Sequence, residues 1–267
     1  MNVFFITFLT ITFLSVGSLS SVLIYRLTRL KFLDNDINLF FPRSHCVRCK
    51  TQISIINLIP LLGYIIQKGR CINCNKLISI TYPMHEIIHL AVGLSIYFFE
   101  GISYLSFVTY LIFVICYVLL ICDLQNFYLP FYLNISITLI AFTSAYFEVI
   151  FISNDFSLNI SNISLSLIGF ITGYFFLWFV NFFYLLLKNK HGIGGGDFIL
   201  LGGIGGITGP LSLSAIILIG SIVTLTIRLI DQKKYSEELP LGAGLILGLF
   251  IYVFFKYFEL FPYQYVI

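Results

Sequence analysis

The 267-residue chain is 59% hydrophobic and only 10% charged, and its mean hydropathy is +0.99. Because a soluble domain carries roughly a quarter charged residues, this composition excludes a soluble globular protein and predicts a polytopic membrane protein with the lipid bilayer as its surroundings. The net charge is only +3, but nine of the 15 Lys and Arg residues lie between Arg26 and Lys76. Beside a membrane span, such a basic stretch indicates the cytoplasmic side rather than a nucleic-acid surface, so we predict no nucleic-acid partner.

Eight apolar segments are candidate transmembrane helices, since roughly 20 helical residues cross a hydrocarbon core of about 30 Å. They cover approximately residues 3–25, 84–99, 102–122, 128–152, 163–187, 197–209, 210–229 and 239–260. The first segment lacks a preceding basic region and a small-x-small cleavage site, so we predict a retained span with its N-terminus outside. The expected fold is an all-α polytopic membrane protein. Its expected parts are a first transmembrane helix (1–25), a cytoplasmic four-cysteine module (26–83) and a seven-helix membrane domain (84–267).

The distribution of basic residues supports this topology. With the N-terminus outside, the cytoplasmic segments are 26–83, 123–127, 188–196 and 230–238. They hold 13 of the 15 Lys and Arg residues, whereas the outer loop 153–162 holds none, as the positive-inside rule requires. The topology therefore predicts that Asp123, at the end of the third span, and Asp197, at the start of the sixth, reach the same leaflet.

Four cysteines in the basic stretch form two C-x2-C pairs, namely Cys46, Cys49, Cys71 and Cys74. Each pair can direct two thiolates at one tetrahedral ion, and Zn²⁺ prefers four such ligands in structural sites. The 21-residue gap between the pairs is slightly longer than the usual zinc-ribbon spacing. Two disulfides or a redox C-x-x-C motif are the alternatives. The expected cytosolic location argues against stable disulfides, and two matched pairs argue against one redox motif, so we predict structural zinc.

The segment "PMHEIIHLAV" contains a second metal-ligand pattern, H-E-x-x-H, formed by His85, Glu86 and His89. On a helix the two histidines share a face and can bind one Zn²⁺, with Glu86 as the general base of a metalloprotease. The later spans offer no third ligand. A zinc metalloprotease is thus an alternative hypothesis only. Without a third ligand, the pattern favours two histidines that lie near a helix start after Pro83 and bind no metal.

The segment "KHGIGGGDFILLGGIGG" places Asp197 directly after Gly194, Gly195 and Gly196. Two carboxylates that share a site do not both ionise cheaply, so one can keep its proton while the other activates water, as in aspartyl proteases. The glycines would admit a substrate backbone and tolerate unusual dihedral angles. The alternatives are solvated aspartates at span ends, a phosphate loop, which lacks a preceding strand, and a transporter or assembly scaffold in which Asp123 and Asp197 bind a cation or proton.

Six segments, in order, resemble one family, the bacterial type IV prepilin peptidases, which are GxGD-type membrane aspartyl proteases. They are "GSLSSVLIYRL" (Gly17–Leu27), the cysteine region with "IPLLGYIIQKGRC", "ISITYPMHE" (Ile78–Glu86), "DLQNFYLP" with Asp123, "GIGGGDFILL" with Asp197, and "LPLGAGLILG" (Leu239–Gly248). The segments are spread from Gly17 to Gly248, so the resemblance runs through nearly the whole chain.

The resemblance implies an aspartyl endopeptidase of the bacterial inner membrane that removes the basic leader of type IV prepilins or pseudopilins at the cytoplasmic face. It implies that Asp123 and Asp197 are the catalytic pair, that the Gly194–Gly196 loop shapes the site, and that the four cysteines hold the cytoplasmic module. The larger members of the family also N-methylate the new N-terminus with S-adenosylmethionine, and the retained cysteine module favours that activity here. The residues that bind the methyl donor are not assigned by the resemblance.

Overall fold

The computed structural model describes residues 3–32, 38–39, 41–147, 161–235 and 238–257. Regular structure in these ranges is helical apart from two isolated β-bridges, so the all-α prediction is confirmed. The elements are α1 (Val3–Phe32), a short 3-10 helix (Ile55–Leu58), α2 (Leu62–Ile66), α3 (Thr81–Glu100), α4 (Tyr104–Asn126), α5 (Phe131–Tyr146), α6 (Asn162–Lys188), α7 (Gly195–Thr208), α8 (Ser212–Ile230) and α9 (Leu241–Tyr257).

Each of the eight predicted spans coincides with a helix. Four helices, α1, α4, α6 and α8, are long and apolar enough to cross a membrane, whereas α5, α7 and α9 are shorter apolar helices. This set of helices makes the chain a multi-pass membrane protein. The ends of two predicted spans (148–152 and 258–260) and most of the outer loop, 153–160, lie outside the described residues.

The chain forms two compact units, one up to Val114 and one from Ile115 onward, and α4 contributes to both. In the first unit, α1 packs against α3 at two glycines. A Cβ on Gly17 would lie 2.6 Å from the Cα atom of Glu86, and a Cβ on Gly93 would lie 2.5 Å from the Phe13 ring. Glycine at these two positions therefore lets the helices approach closely.

In the second unit, the glycine-rich helix α7 is buried between α5 and α6. A Cβ on Gly173 of α6 would lie 2.5 Å from the Leu201 carbonyl of α7, and a Cβ on Gly203 would lie 2.9 Å from the Ile137 side chain of α5. Small residues at such positions let membrane helices pack backbone to backbone. The same device joins α8 to α9, where a Cβ on Gly248 would lie 2.8 Å from the Ile216 carbonyl. This packing fixes the positions of α7 and α9 against their neighbours.

Candidate active site and metal site

Asp123 lies in the last turn of α4 and is only 5% exposed. Its Oδ2 atom accepts a 2.7 Å hydrogen bond from the backbone N–H of Ala243. Ala243 is the third residue of α9, where a backbone N–H has no partner within its own helix. The Asp123 carboxylate is thus bound at the N-terminus of α9, where the helix dipole favours a negative charge.

Asp197 is the third residue of α7. Its carboxylate and that of Asp123 both lie beside Gly242, the second residue of α9. An ideal Cβ on Gly242 would lie 3.1 Å from Asp123 Oδ2 and 3.1 Å from Asp197 Oδ1. These two oxygen atoms therefore lie within twice that distance of one another. The structure brings together the two aspartates that the sequence paired: Asp197 lies in the first turn of α7, and the carboxylate of Asp123 meets the first turn of α9.

Side-chain amides hold the segment that leads into Asp197. The Oδ1 atom of Asn181, on α6, accepts hydrogen bonds from the N–H groups of Gly192 (2.9 Å) and Ile193 (3.1 Å). The Nδ2 group of Asn134, on α5, donates a 2.7 Å hydrogen bond to the Gly196 carbonyl. These bonds tie both ends of the glycine loop to rigid helices, which limits the positions open to Asp197.

The segment after Asp123 is held by residues that follow α8. The Leu124 carbonyl accepts hydrogen bonds from the Tyr235 hydroxyl (3.0 Å) and from Lys234 Nζ (2.7 Å). Leu129 then packs beside both glycines of the site, since a Cβ would lie 2.8 Å from its side chain if placed on Gly242 and 3.1 Å if placed on Gly196. The close approach of Leu129 is a second reason why these two positions are glycine.

The glycines before Asp197 are not used for unusual dihedral angles, and that part of the sequence interpretation is wrong. Gly194 caps α7 with φ −71° and ψ 145°, which any residue can adopt, and Gly195 and Gly196 are helical. Gly196 avoids Leu129, whereas a Cβ on Gly195 would have no neighbour within 4 Å. Gly196 therefore makes room for Leu129, and none of the three glycines relieves backbone strain.

The four cysteines converge on one point. Their Sγ atoms all lie within 4.8 Å of one another, and the Cys46–Cys74 and Cys49–Cys71 pairs are each 3.9 Å apart. A disulfide requires about 2.05 Å, so the thiols are free. A tetrahedral zinc–thiolate site with Zn–S distances of about 2.3 Å has S–S edges of about 3.8 Å. The cluster can therefore hold a metal ion.

The two cysteine pairs have the same local backbone. In each, the first cysteine donates its N–H to a carbonyl five residues later, Thr51 for Cys46 (2.9 Å) and Lys76 for Cys71 (3.0 Å). In each, the residue after the second cysteine has a positive φ, 57° at Lys50 and 56° at Asn75. This match makes the module a pair of like knuckles that present their thiols to a shared centre.

Hydrogen bonds tune the thiols unequally. Hydrogen bonds with the Thr51 side chain and backbone lower the pKa of the Cys49 thiol to about 6. The Lys76 N–H favours the Cys74 thiolate, but burial and the neighbouring sulfur atoms outweigh it and raise the pKa of Cys74 to about 11. Since metal binding requires thiolates, a bound dication would displace the remaining protons.

The H-E-x-x-H pattern does not form a metal site. His89 is fully buried, and its Nδ1 atom lies 2.9 Å from the His85 carbonyl, which can only accept. Its Nε2 atom must therefore accept the 2.9 Å hydrogen bond of the Ser20 hydroxyl, which leaves no free ring nitrogen for a metal. Among the described residues, the cysteine cluster is the only group of three or more candidate ligands. The zinc metalloprotease hypothesis is wrong.

Comparison with known proteins identifies the family. A family model described as "Type IV leader peptidase family" matches residues 110–229, and one described as "Bacterial Peptidase A24 N-terminal domain" matches residues 11–99. The prepilin leader peptidase/N-methyltransferase of Legionella pneumophila is 31% identical over 265 residues, 90% of this chain and 88% of that protein. The chain belongs to the type IV leader peptidase family.

Other leader peptidases match to a similar extent. The prepilin leader peptidase/N-methyltransferase of Vibrio cholerae is 29% identical over 260 residues, 96% of this chain and 98% of that protein. A type 4 prepilin-like proteins leader peptide-processing enzyme from Escherichia coli is 27% identical over 256 residues, 90% of each chain. No solved structure matches. The family resemblance seen in the sequence is confirmed over nearly the full length.

In this leader peptidase family member, sequence reasoning missed the groups that hold the two aspartates. Asn181 interrupts an aromatic helix and Asn134 interrupts an apolar one, and a polar amide inside a span is itself a signal of function or packing. The N–H of Ala243 carries no such signal, because every residue except proline has one. Only the fold shows which backbone donor meets Asp123.

Proposed function

We propose that the chain is a membrane aspartyl endopeptidase that removes the leader of type IV prepilins or pseudopilins at the cytoplasmic face of the bacterial inner membrane. The observation that carries this proposal is the meeting of Asp123 and Asp197 around Gly242. The names of the relatives and the cluster of basic residues in the segments next to the spans support it. In the same proposal the chain consists of a first helix (1–25), a metal-binding module (26–83) and a peptidase domain (84–267).

In the proposed mechanism the two carboxyl groups share one proton. The ionised carboxylate takes a proton from a water molecule, whose oxygen attacks the scissile carbonyl carbon, while the protonated partner donates a hydrogen bond to the carbonyl oxygen. The C–N bond then breaks, and the leaving amine receives a proton from the pair. The hydrogen bond from Ala243 to Oδ2 fixes the orientation of the Asp123 carboxylate, and both of its oxygens keep lone pairs for water or substrate.

The substrate backbone is proposed to run beside the start of α7. A Cβ on Gly195 would meet no heavy atom within 4 Å, and Gly195 is exposed. Neighbouring Gly196 is fixed by Asn134. An open backbone next to a fixed carboxylate gives an extended peptide room to place its carbonyl between the two acids.

The four cysteines are proposed to bind a structural Zn²⁺ ion. Four thiolates at the observed spacing suit this metal in its tetrahedral geometry. The Sγ atoms come from two knuckles separated by the 3-10 helix and α2. The ion would join these knuckles and so stabilise the module, with no step of peptide cleavage routed through it.

A second activity, N-methylation of the new pilin N-terminus, is proposed from the names of the relatives. S-adenosylmethionine supplies an activated methyl group when it is bound. The acceptor would be the new N-terminal amine, which would lose one proton to water as it takes the methyl group, and the donor would leave as a neutral thioether. Family membership favours this pair of activities over the hypothesis that Asp123 and Asp197 transport a cation.

Cleavage of a synthetic prepilin tests the proposal. Purified protein in proteoliposomes is incubated with a peptide that has a basic leader ending in Gly followed by an apolar helix, with and without S-adenosylmethionine. Mass spectrometry is expected to find one cut after that Gly, and one added methyl group only when the methyl donor is present. An uncut peptide would contradict the peptidase assignment, and a cut but unmethylated product would contradict the second activity alone.

A further inference from the structure

The first unit contains a cavity of about 420 Å³ that the peptidase site does not use. Its wall is formed by one face of α1, the start of α3 and the cysteine module, including Cys46 and Cys71. The volume falls in the range of small-molecule sites, roughly 300–1,000 Å³, and such sites combine an apolar wall with a few convergent polar groups. All residues that line it belong to the unit that ends at Val114.

Glu86 supplies the negative charge of this cavity. Its side chain is only 7% exposed, its Oε2 atom accepts a 2.7 Å hydrogen bond from the Leu61 N–H, and the Ser18 hydroxyl is a second donor. Across the part of the chain that the structure describes, no basic side chain pairs with this carboxyl group. Burial removes a carboxylate from water, and a nearby positive charge then stabilises it, so the site suits a cationic ligand.

The buried basic residue of the same wall does not compensate Glu86. Arg26 is 7% exposed, and its guanidinium group donates to the carbonyls of Asn38 and Pro42. Arg26 therefore holds the backbone of the segment that leads into the cysteine module. A cationic occupant would supply the positive charge that no basic side chain of this wall places beside Glu86.

Other residues in the cavity wall provide aromatic, hydroxyl and basic groups for binding a ligand. The Tyr25 hydroxyl is buried and has no hydrogen-bond partner within the described ranges, and Tyr82 adds a second aromatic ring to the wall. Arg48 and Lys76 are exposed members of the lining and place positive charge at its rim. The cavity thus offers an acid within, aromatic rings with a free hydroxyl, and bases at the edge.

We propose that this cavity binds S-adenosylmethionine, with Glu86 facing a cationic group of the ligand, Tyr25 bonding its polar groups, and Arg48 and Lys76 facing its carboxylate. The proposal rests on the N-methyltransferase activity proposed above. A nucleoside polyphosphate fits less well, because it brings several negative charges to a cavity whose only buried ionisable group without a basic partner is an acid.

Equilibrium dialysis of labelled S-adenosylmethionine against the full-length protein in detergent tests the site without any prepilin present. Glu86→Gln keeps an acceptor for the Leu61 N–H but removes the charge, and it is expected to raise Kd at least about tenfold. Tyr25→Phe is expected to raise Kd by a smaller factor. Glu238→Gln, which removes an exposed carboxylate in the other unit, is expected to leave Kd unchanged. Thermal unfolding of each variant checks that the protein is folded.

Two further arms separate the possible failures. An excess of ATP is expected not to displace the label, and equal displacement by ATP would overturn the assigned ligand class. If the wild-type protein binds the donor and both cavity variants bind it equally well, the donor site lies elsewhere and this inference is wrong while the methyltransferase proposal stands. If the wild-type protein neither binds the donor nor methylates the cut product, both proposals fail. Should Glu86→Gln not fold, Tyr25→Phe decides alone.

Discussion

The backbone N–H of Ala243 donates a 2.7 Å hydrogen bond to Oδ2 of Asp123, across 120 residues of sequence. Neighbouring Gly242 lies between this carboxylate and that of Asp197. The start of α9 thus binds one aspartate and leaves room for the other. This relationship makes the "LPLGAG" segment a part of the proposed active site, although it contains no acid or base.

Replacing Gly242 with Ala is expected to lower kcat for leader cleavage at least about a hundredfold. The new methyl group would lie 3.1 Å from an oxygen of each aspartate and 2.8 Å from Leu129, so the carboxyl groups would move apart. Initial rates of peptide cleavage in proteoliposomes measure the effect. Gly195→Ala is the comparison, because its methyl group enters open space; it is expected to raise KM more than it lowers kcat. Equal effects on kcat would contradict the assigned roles.

Replacing Asn181 with Leu is expected to slow cleavage about tenfold or more, because the loop before Asp197 loses two hydrogen bonds to its backbone. The Leu side chain suits the apolar helix, so α6 itself is expected to persist. Single-turnover rates measure the effect. Asn162→Leu changes the same residue type at the other end of α6, and its rate is expected to match that of the wild type. A wild-type rate for Asn181→Leu would show that the loop needs no such support.

Replacing Cys46 with Ala is expected to remove the bound metal, since three thiolates rarely make a closed structural zinc site. Elemental analysis of the purified protein is expected to find one zinc per chain in the wild type and far less in the variant. The matched control is Cys116→Ala, which removes a fully buried thiol in α4 and is expected to retain the metal.

Metal removal is also expected to weaken binding of S-adenosylmethionine, because Cys46 and Cys71 belong to the wall of the Glu86 cavity. Dialysis against a chelator, followed by measurement of Kd for the donor, checks this. Restored affinity after zinc is added back would attribute the loss to the metal. An unchanged Kd in protein shown to be metal-free would contradict the expected coupling between the metal site and the cavity.

Much of the fold was predictable because hydrophobicity alone determines where a chain can cross a membrane. The number of spans also predicted that Asp123 and Asp197 reach one leaflet, and in the structure both carboxylates lie beside Gly242. The spacing of the cysteines predicted a convergent cluster, because a C-x2-C pair has few ways to direct two thiols at one ion.

Other features depend on tertiary contacts that residue patterns do not carry. The H-E-x-x-H pattern suggested a metal site, yet the packing of α1 against α3 places Ser20 on the free nitrogen of His89. The glycines before Asp197 suggested unusual dihedral angles, yet the reason for Gly196 is the position of Leu129. The cavity that contains Glu86 combines residues from α1, α3 and the cysteine module, so no single sequence segment predicts it.

Leader cleavage by the single variants Asp123→Asn and Asp197→Asn tests the central claim most directly. Each change keeps the side-chain shape and an acceptor oxygen but removes a carboxyl group, so both variants are expected to lose cleavage by a factor of at least about a thousand while remaining folded. Asp231→Asn, at an exposed turn after α8, is expected to cleave at the wild-type rate. Cleavage at a rate near that of the wild type by either active-site variant would contradict the aspartyl mechanism.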